Sequence, residues 1–166
     1  MTTTNLTSSK AAAKIKELAE AIDFTMLCTD LDTKPIHSVP MSTKRVDYDG
    51  SIWFLSGHDS THNANIRNDP KVQLLYSDPS SVRFLVVFGG AEIVTDRPTL
   101  IELYGSTDDS WFEGVDDPNL SAIKVSPLDA HYWDAKNNQF ITLLKIGVAA
   151  AVGSKPDIVE HGDLSI

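Results

Sequence analysis

Ser60, Thr61 and His62 stand where a polar loop opens onto a short helical segment. Hydroxyl groups, an imidazole and the free N–H groups of a first helical turn favour an anion, because the helix dipole places partial positive charge there. Ser60 and Thr61 would bind phosphate oxygens, and His62 would add a donor. The two hydroxyls could instead only cap the helix, so the spacing leaves both interpretations open.

A predicted hairpin positions this loop. Asp49-Gly50 separates two apolar alternating runs, and glycine tolerates the positive φ that such a tight turn demands. The second strand, residues 53–56, leads into the loop, so its backbone would lie alongside a bound ring. His37 and Ser38, on the neighbouring hairpin strand, would reach the same phosphate.

A metal site is the main alternative for this loop. His58 and His62 are four residues apart with a carboxylate between them, which is similar to the H-E-x-x-H zinc motif. That motif needs both histidines within a helix, whereas Gly57 and a capping Ser60 would leave His58 outside it. Asp59 is also shorter than the usual glutamate, and no third ligand is evident among the other histidines, which are His37, His131 and His161.

Other catalytic patterns are weaker. Ser56-Gly57 lacks the G-x-S-x-G nucleophile motif, and Cys28 lies in an apolar run with no base nearby in sequence. The aromatic pairs beginning at Trp111 and at Tyr132 favour core packing, although a flat ligand would also need such walls.

Composition excludes several classes of function. The chain has 166 residues and a net charge of −9, with no basic run, so we do not expect it to bind nucleic acid. A single cysteine excludes an internal disulfide or a multi-cysteine metal site. No apolar run reaches the roughly 18 residues of a membrane span, and the polar start is unlike a signal peptide. We therefore expect a cytoplasmic protein.

The order of elements predicts a mainly β domain with peripheral helices. Six or more short strands with few helices favour a closed antiparallel barrel over a parallel α/β sheet. The glycine pair at 89–90 would bend one long strand. Residues 10–152 would form this domain, between a flexible N-terminal tail at 1–9 and a polar C-terminal tail at 153–166. The predicted strands span 24–29, 36–41, 53–56, 72–76, 82–94, 121–133 and 139–152, and the predicted helices span 11–22, 60–68, 98–104 and 108–113. The strand at 36–41 would be the antiparallel partner of the strand at 24–29 as well as the first strand of the hairpin.

The order and spacing of several short motifs resemble a known family. From about residue 12 to 151 the chain is similar to the general stress protein 26 group of the pyridoxamine 5′-phosphate oxidase-like, FMN-binding split-barrel proteins. The matching stretches are His37-Ser38-Val39-Pro40-Met41, Asp47-Tyr48-Asp49-Gly50, Trp53-Phe54, Ser60-Thr61-His62, Asn68-Asp69-Pro70, Trp111-Phe112, Asp116-Asp117-Pro118 and Tyr132-Trp133-Asp134.

The resemblance implies a six-stranded antiparallel split β-barrel that forms a homodimer, with FMN between the subunits. It places Ser60, Thr61 and His62 at the phosphate. The residues that would flank the ring and the ribityl chain are His37, Ser38, Pro40, Met41, Trp53, Phe54, Leu55 and Ser56, and Trp111 and Trp133 would close the pocket from either subunit.

The sequence departs from the family at the phosphate. Members often carry arginine where His37 and Val39 stand, and lysine or arginine where His62 stands. The arginine-rich C-terminal signature of true pyridoxamine phosphate oxidases is also missing, so vitamin B6 oxidation is not expected.

The resemblance implies a general stress flavoprotein. We expect an FMN-dependent oxidoreductase or flavin reductase with a nicotinamide or other small-molecule electron donor, and we assign no side chain as a catalytic acid or base. The alternative is a non-catalytic protein that binds or senses flavin or another phosphorylated ligand.

Overall fold

The structure is a computed structural model that describes residues 2–135 and 159–165. Strands predominate, and the helices lie at the periphery. The strands are β1 (Thr2–Thr3), β2 (Leu6–Thr7), β3 (Phe24–Thr29), β4 (His37–Ser42), β5 (Arg45–Val46), β6 (Ile52–Gly57), β7 (Lys71–Asp78), β8 (Arg83–Val94), β9 (Leu120–Ala135) and β10 (Val159–Ser165). The helices are α1 (Ser8–Ile22), α2 (Thr61–Asn68) and α3 (Arg97–Leu103), with a 3-10 helix at Ser106–Ser110.

One mixed sheet contains all ten of these strands. Its order is β1-β10-β9-β8-β7-β3-β4, and β6 also pairs with β9. The ladders among β3, β4, β6, β7, β8 and β9 are antiparallel, whereas β1 and β2 pair with β10 in parallel. The mainly β prediction is therefore confirmed, but ten strands replace the six predicted, and two short pairings are parallel.

The predicted bend in the long strand lies at its glycine pair. The register between β8 and β9 shifts between Phe88 and Gly89. A Cβ atom on Gly89 would lie 2.5 Å from the carbonyl oxygen of Ser126, so only glycine fits this close approach of two strands. The resulting irregularity lets the sheet curve.

The inner face of the curved sheet encloses the main core. Fully buried side chains such as Phe54, Leu74 and Tyr132 come from three different strands. Helix α1 packs its apolar side, which includes Ile15 and Leu18, against the same core, as the helical spacing predicts.

The first strand of the predicted hairpin, which carries His37 and Ser38, is wrong. The Asp49-Gly50 turn joins β6 to the two-residue strand β5, and Gly50 has the positive φ of 86° that the turn requires. The predicted antiparallel pairing of 36–41 with 24–29 is confirmed, because β4 pairs with β3 along its whole length, from the pair of Phe24 and Ser42 to the pair of Thr29 and His37. Because no ladder of the described residues joins β4 to β6, the barrel is open between these two strands.

Parts of both predicted tails lie in the sheet. Residues 2–3 and 6–7 pair with β10, which itself lies within the predicted C-terminal tail, and how mobile these segments are in solution stays a prediction. The predicted strand at 139–152 lies outside the described residues. No helix in the described ranges is long and apolar enough to cross a membrane.

Candidate functional site

A cleft opens where the barrel is split between β4 and β6. Its volume is about 320 Å³, and its walls combine apolar and aromatic side chains with a few polar groups. It is lined by Phe24, Pro40, Met41, Ser42, Lys44, Leu55, Ser56, Gly57, His62, Asp108, Trp111 and Phe112.

The N-terminal end of α2 faces this cleft through His62. Ser60 is the N-cap of the helix, and its hydroxyl accepts a hydrogen bond from the Asn63 N–H at 3.3 Å. Helical geometry leaves the N–H groups of Thr61 and His62 without an intrahelical acceptor. Capping by Ser60 therefore coexists with free donors at this end of the helix.

A buried polar network fixes that end of α2 against the barrel. The Ser56 hydroxyl donates to the side-chain oxygen of Asn63 at 3.0 Å, and the Asn63 amide donates to the Ser121 hydroxyl at 2.9 Å. All three side chains are buried. Because buried polar groups that satisfy one another resist displacement, the network holds the α2 terminus in register with β6.

The rings of His37 and His62 stack beside the cleft, with centroids 6.4 Å apart and planes inclined by 16°. The Nε2 atom of each ring is buried and has no hydrogen-bond partner in the described part of the chain. Burial, and secondarily the proximity of His37, lowers the pKa of His62 below the ordinary histidine value.

An ion pair and an exposed indole form the opposite wall. The Lys44 ammonium lies 2.7 and 2.9 Å from the two carboxylate oxygens of Asp108, and it thereby ties the 3-10 segment to the residues after β4. Next to this pair, Trp111 is 82% exposed at the mouth of the cleft, and Phe24 on β3 is 63% exposed. This wall of the cleft is consequently polar at the ion pair, and the cleft is open to solvent beside Trp111 and Phe24.

The structure brings about half of the predicted site residues into the cleft. Those lining it are Pro40, Met41, Leu55, Ser56, His62 and Trp111, with Ser60 and Thr61 at the adjoining helix terminus. The side chains of Phe24, Ser42, Lys44 and Asp108 also line it, and none of them was among the predicted site residues. The spacing of residues gives no local signal for them because three distant segments meet here.

The remaining predicted residues point elsewhere. Phe54 is fully buried in the main core, and Trp53 packs in a second cluster with Leu100 and Leu103 while its indole N–H donates to Asp47. Four predicted residues thus lie outside the cleft within this chain, namely Ser38, Trp53, Phe54 and Trp133. Ser38 is bonded to the Cys28 sulfur, and Trp133 lies beside His131 on β9. His37 reaches the cleft only through its contact with His62.

The metal alternative finds no support in the positions of the donors. His58 precedes α2, and its ring and carbonyl lie against the Arg67 guanidinium, whereas His62 turns toward the cleft. In the described ranges, no three side chains of histidine, cysteine, aspartate or glutamate are grouped so as to hold a metal ion. The two histidines of the motif therefore point into different environments and do not converge on one metal site.

The lowered pKa of His62 predicts a pH dependence of stability. In the unfolded chain His62 takes up a proton below about pH 6.5, whereas in the folded ligand-free protein its lowered pKa opposes protonation. Stability is therefore lost as the pH falls from 6.5. One such proton changes the unfolding free energy by at most about 1.4 kcal/mol per pH unit. Urea unfolding at pH 7.5, 6.5 and 5.5 should show a smaller loss on acidification in His62→Gln than in the wild type, and parallel losses would contradict this origin.

Comparisons with known proteins agree with this architecture. The family model described as pyridoxamine 5′-phosphate oxidase like matches residues 10–157. General stress protein 26 of Bacillus subtilis (strain 168) is 27% identical over 100 residues, which cover 58% of this chain and 71% of that protein.

Two solved structures share the fold. A general stress protein 26 from Jannaschia sp. CCS1 superposes with a TM-score of 0.79 at 23% identity, covering 95% of this chain and 98% of that one. The general stress FMN/FAD binding protein from Xanthomonas citri superposes with a TM-score of 0.64, also at 23% identity, over 77% of this chain and 90% of that one. With a family match that spans most of its length, the chain belongs to the pyridoxamine 5′-phosphate oxidase-like family.

Proposed function

We propose that the protein binds FMN in the cleft between β4 and β6 and acts as a flavin-dependent oxidoreductase or flavin reductase. The observation that carries the proposal is the juxtaposition of an anion-binding helix terminus with an aromatic-walled cleft of about 320 Å³. A phosphate and a flat ring need these two features side by side. The name of the Xanthomonas citri structure, an FMN/FAD binding protein, is consistent with the proposal.

The residues present fit such a ligand. The free N–H groups at Thr61 and His62 would hold phosphate oxygens, and the buried unpartnered Nε2 atom of His62 would gain a hydrogen-bonding partner. Met41 and Leu55 would contact the ring from β4 and β6, and Trp111 would shield it from water.

Bound FMN would supply the redox chemistry through its N5 atom. The chain's own contribution would be to bind, orient and shield the ring. Lys44 and Asp108 in the cleft neutralise each other, and His62 lies where the phosphate would bind, so we assign no side chain as an acid or base toward the ring. A nicotinamide or other small molecule would serve as the electron donor.

We further propose a homodimer that covers this mouth. On the outward side of β4, β3, β7 and β8, Pro40, Met26, Leu75 and Val86 form one continuous apolar cross-strand row. We call this surface the outer face; it consists of Phe24, Met26, Pro40, Leu75, Phe84, Val86 and Trp133.

The outer face runs into the cleft. Phe24 and Pro40 belong to both, so a second copy seated on the outer face would also cover the ring. Exposed apolar side chains such as Met26 and Leu75, each 39% exposed, support a partner there, because monomeric proteins rarely expose contiguous apolar patches of this kind.

The decisive experiment is a flavin titration of the purified full chain. We expect the fluorescence of FMN to be quenched on binding. FMN should bind about tenfold or more tightly than riboflavin, which lacks the phosphate. The absorption spectrum of the protein as purified would show whether flavin is already bound. A protein that binds neither flavin would overturn the proposal.

A non-catalytic flavin-binding or flavin-sensing protein, or one for another phosphorylated ligand, is the second candidate. It is favoured by the pairing of Lys44 with Asp108, which leaves no acid or base assigned toward the ring among the described residues of the cleft. Anaerobic addition of NADH or NADPH to the FMN complex separates the two candidates. Bleaching of the flavin absorbance would support the oxidoreductase, and unchanged absorbance would support the binding protein.

A further inference from the structure

Two buried imidazole nitrogens beside the cleft have no hydrogen-bond partner. They are the Nε2 atoms of His37, on β4, and His62, on α2, and their rings stack at 6.4 Å. Buried polar atoms in native proteins are nearly always bonded, so an unsatisfied pair marks a position that something else completes. The helix terminus next to this pair identifies the missing partner as an acceptor, since its own groups are donors.

The carboxylates at the ends of the elements that carry or adjoin the pair make no bond to it. Asp59 precedes α2, Asp30 follows β3, and Asp108 lies across the cleft, where Lys44 already neutralises it. No hydrogen bond or ion pair of the described residues joins a carboxylate to either ring. On α2 itself, Arg67 is in the last turn and bonds to His58. The pair therefore faces the helix terminus without a fixed countercharge.

Burial and the neighbouring imidazole both favour the neutral form of His62, whose pKa is lowered. A phosphate dianion would reverse this balance, because an opposite charge nearby favours the protonated imidazole. Protonation would also make both nitrogens of a ring donors, and this would satisfy the buried Nε2.

We propose that His37 and His62 form a proton-linked anion clamp, in which binding of a phosphate group at the start of α2 brings a proton onto the histidine pair. The proposal rests on the proposed function, because it takes the FMN phosphate to bind at this corner. By linkage, a ligand that promotes protonation binds more tightly where protons are abundant. The site would then load near pH 6.5 and release its ligand in alkali, unlike a site built from arginine or lysine.

Isothermal titration of FMN into the full chain measures this linkage directly. Between pH 6.5 and 8.5 the ligand's own phosphate is mostly the dianion, because a phosphate monoester loses its second proton near about pH 6. At pH 7.5 we expect the binding enthalpy to differ between HEPES and Tris, because the two buffers have different ionisation enthalpies. The difference should correspond to the uptake of up to about one proton per FMN. The dissociation constant should rise by up to about tenfold per pH unit.

Two further ligands locate the linkage at the phosphate. Inorganic phosphate should bind more weakly than FMN but with proton uptake, whereas riboflavin should bind without it. Proton uptake with riboflavin would place the linkage at the ring and overturn the clamp.

Variants assign the proton to the pair. His62→Lys supplies a permanent charge, so it should bind FMN without proton uptake and with a pH-independent dissociation constant, while His37→Asn should reduce the uptake. His58→Gln, on the same loop but bonded to Arg67, is the matched control and should leave the uptake unchanged. Circular dichroism of each variant excludes misfolding as the cause.

The outcomes separate this inference from the proposed function. FMN binding by the wild type with equal enthalpies in both buffers and a constant affinity would overturn the clamp and leave the flavin site standing. Loss of proton uptake in His58→Gln, with uptake retained in His62→Lys and His37→Asn, would also overturn it. No FMN binding at any pH, by the wild type or by His62→Lys, would overturn both proposals.

Discussion

Replacing Leu75 with glutamate is expected to dissociate the proposed dimer into monomers and to abolish the proposed FMN binding. Leu75 lies in the middle of the outer face, between Met26 on β3 and Val86 on β8. A carboxylate buried there between two copies would have no partner in the apolar row, and such a charge costs several kcal/mol. We therefore expect dimer affinity to fall about a hundredfold or more. Light scattering coupled to size-exclusion chromatography gives the mass of each variant.

Ile101→Glu is the matched control. Ile101 is also an exposed apolar residue, at 51%, but it lies on α3 away from the outer face. The control should remain dimeric and keep its flavin. If the Leu75 variant stays dimeric, or if the wild type is a monomer at every concentration, the second copy does not sit on this face. A monomeric Leu75 variant that binds FMN as tightly as the wild type would show that one chain completes the site.

The local signals in the sequence predicted local structure well. The spacing of Ile15 and Leu18 placed α1, the Asp49-Gly50 turn placed one hairpin, and the glycine pair placed the irregularity in β8. Each of these features depends on residues close together in the chain, where backbone preference and periodicity act directly.

Strand partners were harder to predict, because pairing depends on distant segments. The sequence predicted that β4 pairs with both of its neighbours, but it pairs with β3 alone among them and leaves the side toward β6 open. Alternation along β4 is the same whether one or both of its edges are paired, so the residues alone do not show that the second pairing is missing. That choice creates the cleft.

The composition of the site shows the same division. Ser60, Thr61 and His62 are consecutive, and their place at a helix start could be read directly. Lys44 and Asp108 are 64 positions apart, and only the fold reveals that they meet in the cleft. Similarly, successive residues on one strand point to opposite faces, and for this reason Phe54 lies in the core while its neighbour Leu55 lines the cleft.

Replacing Asn63 with alanine is expected to be the most destabilising change near the site and to weaken FMN binding. Asn63 is fully buried on α2 and bonds through its amide to Ser56 on β6 and Ser121 on β9. Alanine would leave both hydroxyls without these partners and would open a small cavity. We expect a loss of about 2–3 kcal/mol in the free energy of unfolding, measured by urea denaturation at one fixed protein concentration.

Binding should weaken together with stability, because the same amide holds the helix terminus in register with the strand that lines the cleft. We expect the dissociation constant for FMN to rise about tenfold, which corresponds to about 1.4 kcal/mol. A double-mutant cycle with Ser121→Ala should give a coupling of at least about 0.5 kcal/mol, as residues of one network do.

Asn65→Ala provides the matched control on the same helix. Asn65 is only half-buried and makes one side-chain hydrogen bond, from its amide to the Thr29 hydroxyl at 3.0 Å. Its loss should cost about 1 kcal/mol or less and leave FMN affinity nearly unchanged. Equal costs for the two asparagines would mean that the buried network does not fix the helix. A destabilised Asn63 variant with wild-type affinity would mean that the phosphate does not bind at the start of α2, because displacement of that terminus must alter every contact made there.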